Sequence, residues 1–192
     1  MPFPGVTRTF DMLAYQLAHF PQPRCLAAKR GGQWAPSSTQ QVNEAVDLVS
    51  LGLHALGVGR GDKVAIVALS CPEWLLADFG IAQLGAVSVP IYPTVTAEDY
   101  RFIFQDAAVR AVFVANAELY HKVLVASEGL GLLATHVFTF EPVPGAWGGR
   151  GWTSLDLDAA DEAVLRTALL TAWRTVAPGD LVARYDDLAL DP

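Results

Sequence analysis

Val64-Ala65-Ile66-Val67-Ala68-Leu69 is an unbroken apolar run, and it decides how the rest of the chain reads. A strand with one wet face alternates apolar and polar side chains. A strand covered on both faces has no need to alternate. The run therefore predicts a buried strand of a parallel sheet over 64–69. Toward the C-terminus, residues 72–84 read as a helix. Pro72 stands in its first turn, where a missing N–H is tolerated, and Gly85 lies just past its end. Ala86-Val87-Ser88-Val89-Pro90-Ile91 predicts a second strand. Thr96 opens a helix that runs through Asp106. Residues 111–115 predict a third strand, Asn116 opens another helix, and 136–140 predict a fourth strand. Such alternation implies an α/β fold in three layers: a mainly parallel sheet with helices on both faces, joined by right-handed crossovers.

Toward the N-terminus, Gly57 and Gly59 end a helix that begins at Ser38. Ser38-x-x-Gln41 is a capping-box pattern, and Val42, Val46, Val49 and Leu53 recur at helical spacing. Cys25 to Ala28 read as a short strand, turned by Gly31-Gly32 toward Trp34 as a hairpin. Residues 8–19 read as an amphipathic helix, which Pro21 and Pro23 stop. Beyond the fourth strand, 141–151 is a Pro- and Gly-rich loop, and Asp158 opens a last helix to about Trp173. The expected organisation is an α/β subdomain over 1–150, then an acidic helix and tail over 151–192.

Bulk properties exclude several classes of function. Hydrophobic residues make up 52% of the 192 and charged ones 17%, enough to bury a sizeable core. The formal charge is −7 and Lys and Arg form no cluster, which argues against nucleic-acid binding. Cys25 and Cys71 form neither a CxxC pair nor a Cys/His cluster, so a disulfide framework or zinc site is not expected. Met1 to Gly5 has no basic region leading into an apolar one, as a signal peptide would. The longest apolar stretch, 74–93, contains Asp78, two glycines and Pro90, and reads as helix, turn and strand rather than a membrane span. A cytoplasmic chain is the expectation.

Most motifs have a structural reading. Gly57-Val58-Gly59-Arg60-Gly61 has the glycine content of a dinucleotide loop, but it follows a helix and precedes a strand, the reverse of what pyrophosphate binding needs. It predicts a helix-terminating turn. The tripeptide Arg60-Gly61-Asp62 is a coincidence of the same turn. His19, His54, His121 and His136 have no ligand spacing, and Glu98-Asp99 complements a helix dipole. No Walker loop, nucleophile elbow or HExxH occurs. No residue is expected to be catalytic, metal-binding or cofactor-binding. Trp74, Tyr92 and Tyr100 stand near strand ends, where open α/β sheets gather ligands, and are the candidates for an interface or pocket edge.

Leu56-Gly57-Val58-Gly59-Arg60-Gly61-Asp62-Lys63-Val64-Ala65-Ile66 resembles the run near the start of AMP-binding, adenylate-forming enzymes. Pro72-Glu73-Trp74 and Gly80-Ile81-x-x-Leu84-Gly85-Ala86-Val87-x-Val89-Pro90 continue the likeness. Tyr92-Pro93-Thr94 and Glu98-Asp99-Tyr100-Arg101-Phe102-Ile103 resemble the long-chain fatty acid–CoA ligase branch, and the likeness covers roughly residues 8–140. The resemblance implies the N-terminal subdomain of the AMP-binding enzyme fold. It also implies a parent reaction using ATP, magnesium and coenzyme A: a carboxylate becomes an acyl-adenylate with release of pyrophosphate, and the coenzyme A thiol then takes the acyl group. Val176 to Tyr185 resembles the lead-in to the family's phosphate loop, one residue short. Asp186-Asp187-Leu188-Ala189-Leu190-Asp191-Pro192 follow, carboxylates where phosphate would need hydroxyl and N–H donors. The expectation is a fragment inactive alone. Its partner would be the missing synthetase portion or a second copy of itself. The rival readings are a non-catalytic binding or oligomerisation module and one half of a split synthetase.

Overall fold

The computed structural model describes residues 4–132 and 136–140. The expected helix at 158–173, the loop at 141–151 and the tail lie outside them. The elements are α1 (Asp11–His19), β1 (Leu26–Arg30), β2 (Gln33–Ser37), α2 (Thr39–Ala55), β3 (Lys63–Val67), α3 (Pro72–Gln83), β4 (Val87–Ile91), α4 (Ala97–Ala107), β5 (Val109–Val114), α5 (Ala117–Ser127) and β6 (Val137–Thr139). β1 and β2 form a separate antiparallel hairpin. The main sheet is parallel throughout, in the order β4-β3-β5-β6.

That order places the helices. From β3 the chain moves one way to β4, then back across β3 to β5 and onward to β6. Right-handed crossovers going in opposite directions must use opposite faces of the sheet. The core shows this division. On one face Val64, Ile66 and Ala111 pack with Leu53 of α2 and with Ala77 and Ile81 of α3. On the other, Ala65, Val67, Val112 and Val114 pack with Tyr100 and Phe104 of α4 and with Leu119 and Val123 of α5. Val64, Ala65, Ile66 and Val67 are all fully buried, so consecutive residues of β3 feed both cores. A smaller third cluster joins Leu13 of α1 to Val42 and Val46 of α2, with Leu76 and Phe79 of α3 against it.

Local chemistry sets the ends of the elements. Ser38 accepts from the Gln41 N–H while the Gln41 side chain accepts from the Ser38 N–H, a complete capping box at the start of α2. Thr96 and Asp99 make the same reciprocal pair at α4. The Thr96 hydroxyl, then the Thr96 N–H, bond the Asp99 carboxylate and lower its pKa. Asn116 caps α5 through the Leu119 N–H. Gly57 ends α2 with a left-handed φ of +78°: its N–H donates to His54 O and that of buried Val58 to Leu53 O. The paired bonds and the apolar contact they bring define the glycine-dependent helix stop. Gly59 N–H donates to the Asp62 carboxylate and Gly61 N–H to Gly85 O, so this glycine turn is bonded to its own chain rather than open to a phosphate.

Several boundaries differ from the sequence reading. The strand expected at 64–69 ends at Val67, and Leu69 is 65% exposed, because Leu69 has passed the carboxyl end of the sheet and its helices. The third strand begins earlier, at Val109, since Lys63 pairs with it across a register shift. The fourth is confined to Val137–Thr139. The first helix begins at Asp11 rather than residue 8, where the Asp11 carboxylate accepts the N–H groups of Thr7 and Arg8.

Candidate functional site

Parallel sheets place functional groups at the carboxyl ends of their strands, where the following loops converge. Here that edge is built from Leu69-Ser70-Cys71 after β3, Tyr92-Pro93-Thr94-Val95 after β4, Ala115-Asn116 after β5 and Phe140 after β6. The strand order reverses between β3 and β5, and there Ala115 N–H donates to Val67 O, which ties the two strand ends together.

The loop after β4 is bonded to the helix layer beneath it. Tyr100 is fully buried, and its hydroxyl donates to Pro93 O at 3.0 Å, with Tyr92 O at 3.4 Å. Burial raises the Tyr100 pKa, so the phenol stays protonated and a donor. Lys122 donates to Val95 O, and its ammonium stands 5.0 Å from the centroid of the Tyr100 ring. Two side chains from the helix layer thus hold the backbone of the loop.

The three sequence candidates separate. Tyr92 is 75% exposed on the loop that Tyr100 holds from beneath, so these two belong to one structure, one outside and one inside. Trp74 is half-buried in α3 and packs against the core on the opposite face of the sheet. The structure does not bring it to the other two. The sequence reading passed over Leu69, which joins Tyr92 as an exposed apolar group: Val67 pairs with Ile91, and both chains leave the sheet side by side. Its signal was position, at the end of an apolar run longer than an average buried strand.

Cys71 caps α3 without a side-chain bond, and desolvation raises its pKa, which favours the unreactive thiol. Among the described residues, no group of three His, Cys, Asp or Glu side chains could hold a metal ion. The Gly57–Gly61 turn has its glycine N–H groups committed within the chain, and every buried side-chain polar atom among the described residues has a partner. The Gly57–Gly61 turn is therefore not a phosphate cradle. No helix among them is long and apolar enough to cross a membrane.

The sequence matches the family described as "AMP-binding enzyme" over residues 13–150. The chain belongs to that family. It is similar to the long-chain-fatty-acid–CoA ligase FadD15 of Mycobacterium bovis, 36% identical over 95 residues, which covers 50% of this chain and 16% of the relative. The fold is similar to a Mycobacterium tuberculosis fatty acyl CoA synthetase, with a TM-score of 0.56, 26% identity, and 68% of this chain against 26% of that one. It is also similar to the anthranilate CoA ligase AuaEII, solved with anthranoyl-AMP, with a TM-score of 0.58, 25% identity, and 68% of this chain against 24% of that one. The chain thus spans about a sixth of the length of the curated ligase. The three-layer α/β architecture is that of adenylate-forming enzymes.

Proposed function

We propose that residues 1–150 act as the N-terminal subdomain of a long-chain acyl-CoA synthetase, and that these 192 residues form no acyl-adenylate by themselves. The observation that carries this reading is the family match over 13–150, joined to the likeness to long-chain fatty acid–CoA ligases. The parent reaction joins a fatty acid to ATP, releases pyrophosphate, and passes the acyl group to coenzyme A. The described residues supply a scaffold to that reaction: a rigid sheet, a loop held by Tyr100 and Lys122, and a carboxyl edge from which the chain leaves at Phe140. The phosphate-handling pattern does not occur in the sequence, and Asp186 and Asp187 stand where it would begin.

The exposed Leu69 and Tyr92 support a partner at this edge, either the remaining portion of a synthetase or a second copy of the chain. Pyrophosphate exchange with ATP, magnesium and palmitate tests the central reading. The chain alone should give none. Exchange above a heat-inactivated control would overturn the inactivity. If the complementary portion of a related ligase binds the chain and exchange appears only with both, the scaffold role stands.

A further inference from the structure

Residues 12–43 contain Arg24, Lys29 and Arg30 and no Asp or Glu, in a chain whose formal charge is −7. The β1–β2 hairpin lies inside this stretch. Lys29 pairs across it with Trp34, and Ala27 with Pro36. Residues directly opposite in an antiparallel pair share a face, as do alternate residues of one strand, so these four form one surface. All four are exposed, Trp34 by 67%, and the Lys29 ammonium stands 5.5 Å from the indole centroid. The opposite face turns inward at its base: Leu26 packs against the small core, and Leu26, Ala28 and Ser37 are half-buried. Glu73 is the acid that meets the hairpin, and Arg30 already neutralises it. Arg24 is exposed and forms no ion pair among the described residues.

We propose that this hairpin face docks reversibly on an anionic lipid surface. A flat face with an exposed indole beside a lysine has the chemistry of a membrane interface, where the ring sits at headgroup level and the cation meets lipid phosphate. Strand addition by an acidic peptide at the β2 edge is disfavoured. Pro36 deprives β2 of a donor, the usual device by which an edge refuses a further strand. Lys29 is the cation on this face and Trp34 its large apolar group, so binding is weak and sensitive to salt. This inference does not depend on the synthetase reading.

The test is flotation of the full chain with vesicles at low salt. One set is phosphatidylcholine alone, and the other is equal parts phosphatidylcholine and phosphatidylglycerol. The expected result is binding to the anionic set only, reversed by salt, with a blue shift of tryptophan emission. Lys29→Gln should weaken partitioning about fivefold, the effect of one cation near such a surface. Trp34→Ala should weaken it and remove most of the blue shift. Both positions are exposed, so unchanged melting of the variants confirms that folding is intact. Absence of binding to anionic vesicles would overturn the proposal, and so would equal binding by the wild type and both folded variants. Retention on immobilised polyglutamate without any vesicle binding would also overturn it, in favour of an acidic protein partner.

Discussion

β3 and the β1–β2 hairpin are built from strands of the same length and have opposite fates. Each strand has five residues, yet four of the five in β3 are buried, while three of five in β1 and four of five in β2 are exposed. β3 is paired on both edges and covered on both faces. The hairpin has one partnered face and is tied down by bonds such as Gln22 N–H to the Thr39 hydroxyl and Arg30 to Glu73. A two-stranded hairpin is marginal in water by itself. Burial in this domain therefore follows the number of covered sides. The scaffold's stability lies in the parallel sheet, while the hairpin is free to present a surface.

Substitutions sharpen that contrast. Val67→Asp should be the most damaging change. It buries an unpaired carboxylate between β3 and the α4–α5 layer and should cost about 3 kcal/mol or more, enough to threaten folding. Thermal melting checks it, and a soluble variant with unchanged melting would show that β3 is not the central strand. Gly80→Ala probes the contact between α2 and α3. An added Cβ would lie 2.5 Å from Val49 Cγ1 and 3.2 Å from Val46 O, so the helices must move apart. A loss of roughly 1–3 kcal/mol by chemical denaturation is expected.

Tyr100→Phe should cost about 1 kcal/mol, the usual net worth of a hydrogen bond. It should also raise amide exchange at Val95 and Thr96 more than at β3, because the loop loses a tether while the core keeps its ring. Uniform exchange changes would argue that Tyr100 acts by packing alone.

Acid should act on the helix starts. The Arg8 side chain and the Thr7 N–H bond the Asp11 carboxylate and lower its pKa, as Thr96 does for Asp99. Groups whose pKa is depressed by folding add stability above their unfolded pKa of about 3.9 and lose it as pH falls through the folded value. Stability should therefore decline below about pH 4, and less steeply in Asp99→Asn than in the wild type. The smallest effect is expected in the hairpin, where Trp34→Ala should change stability by no more than about 0.5 kcal/mol. A large loss there would mean the indole is a structural group and the two regions are not so different.

Local signals were legible where the chemistry is local. Ser38 with Gln41, Thr96, Asn116, and the glycines at 57 and 85 mark helix ends because each capping bond is made within a few residues. The likeness of Leu56 to Ile66 to AMP-binding enzymes was legible for a similar reason: the run keeps its order of turn glycines and buried strand. Tyr92 and Tyr100 were both legible as residues near a strand end. Which of them faces water was not, since that depends on how α4 lies on the sheet. Leu69 looked like more strand because apolar character continues past the point where pairing stops. Trp34 entered the sequence reading only as the far side of a hairpin. The absence of acids from residue 12 to 43 was the available signal for its surface.

The sequence by itself determined the elements, their caps and the alternation of strand and helix, because those depend on side-chain periodicity and bonds between near neighbours. It also determined the family, and so the three layers. Only the tertiary structure decided the order β4-β3-β5-β6, which comes from crossovers closing over long stretches of chain. It alone separated buried Tyr100 from exposed Tyr92, and it alone put Lys29 beside Trp34 on an outward face. Those distinctions arise from which surfaces cover one another, and no residue carries that information until the layers have packed.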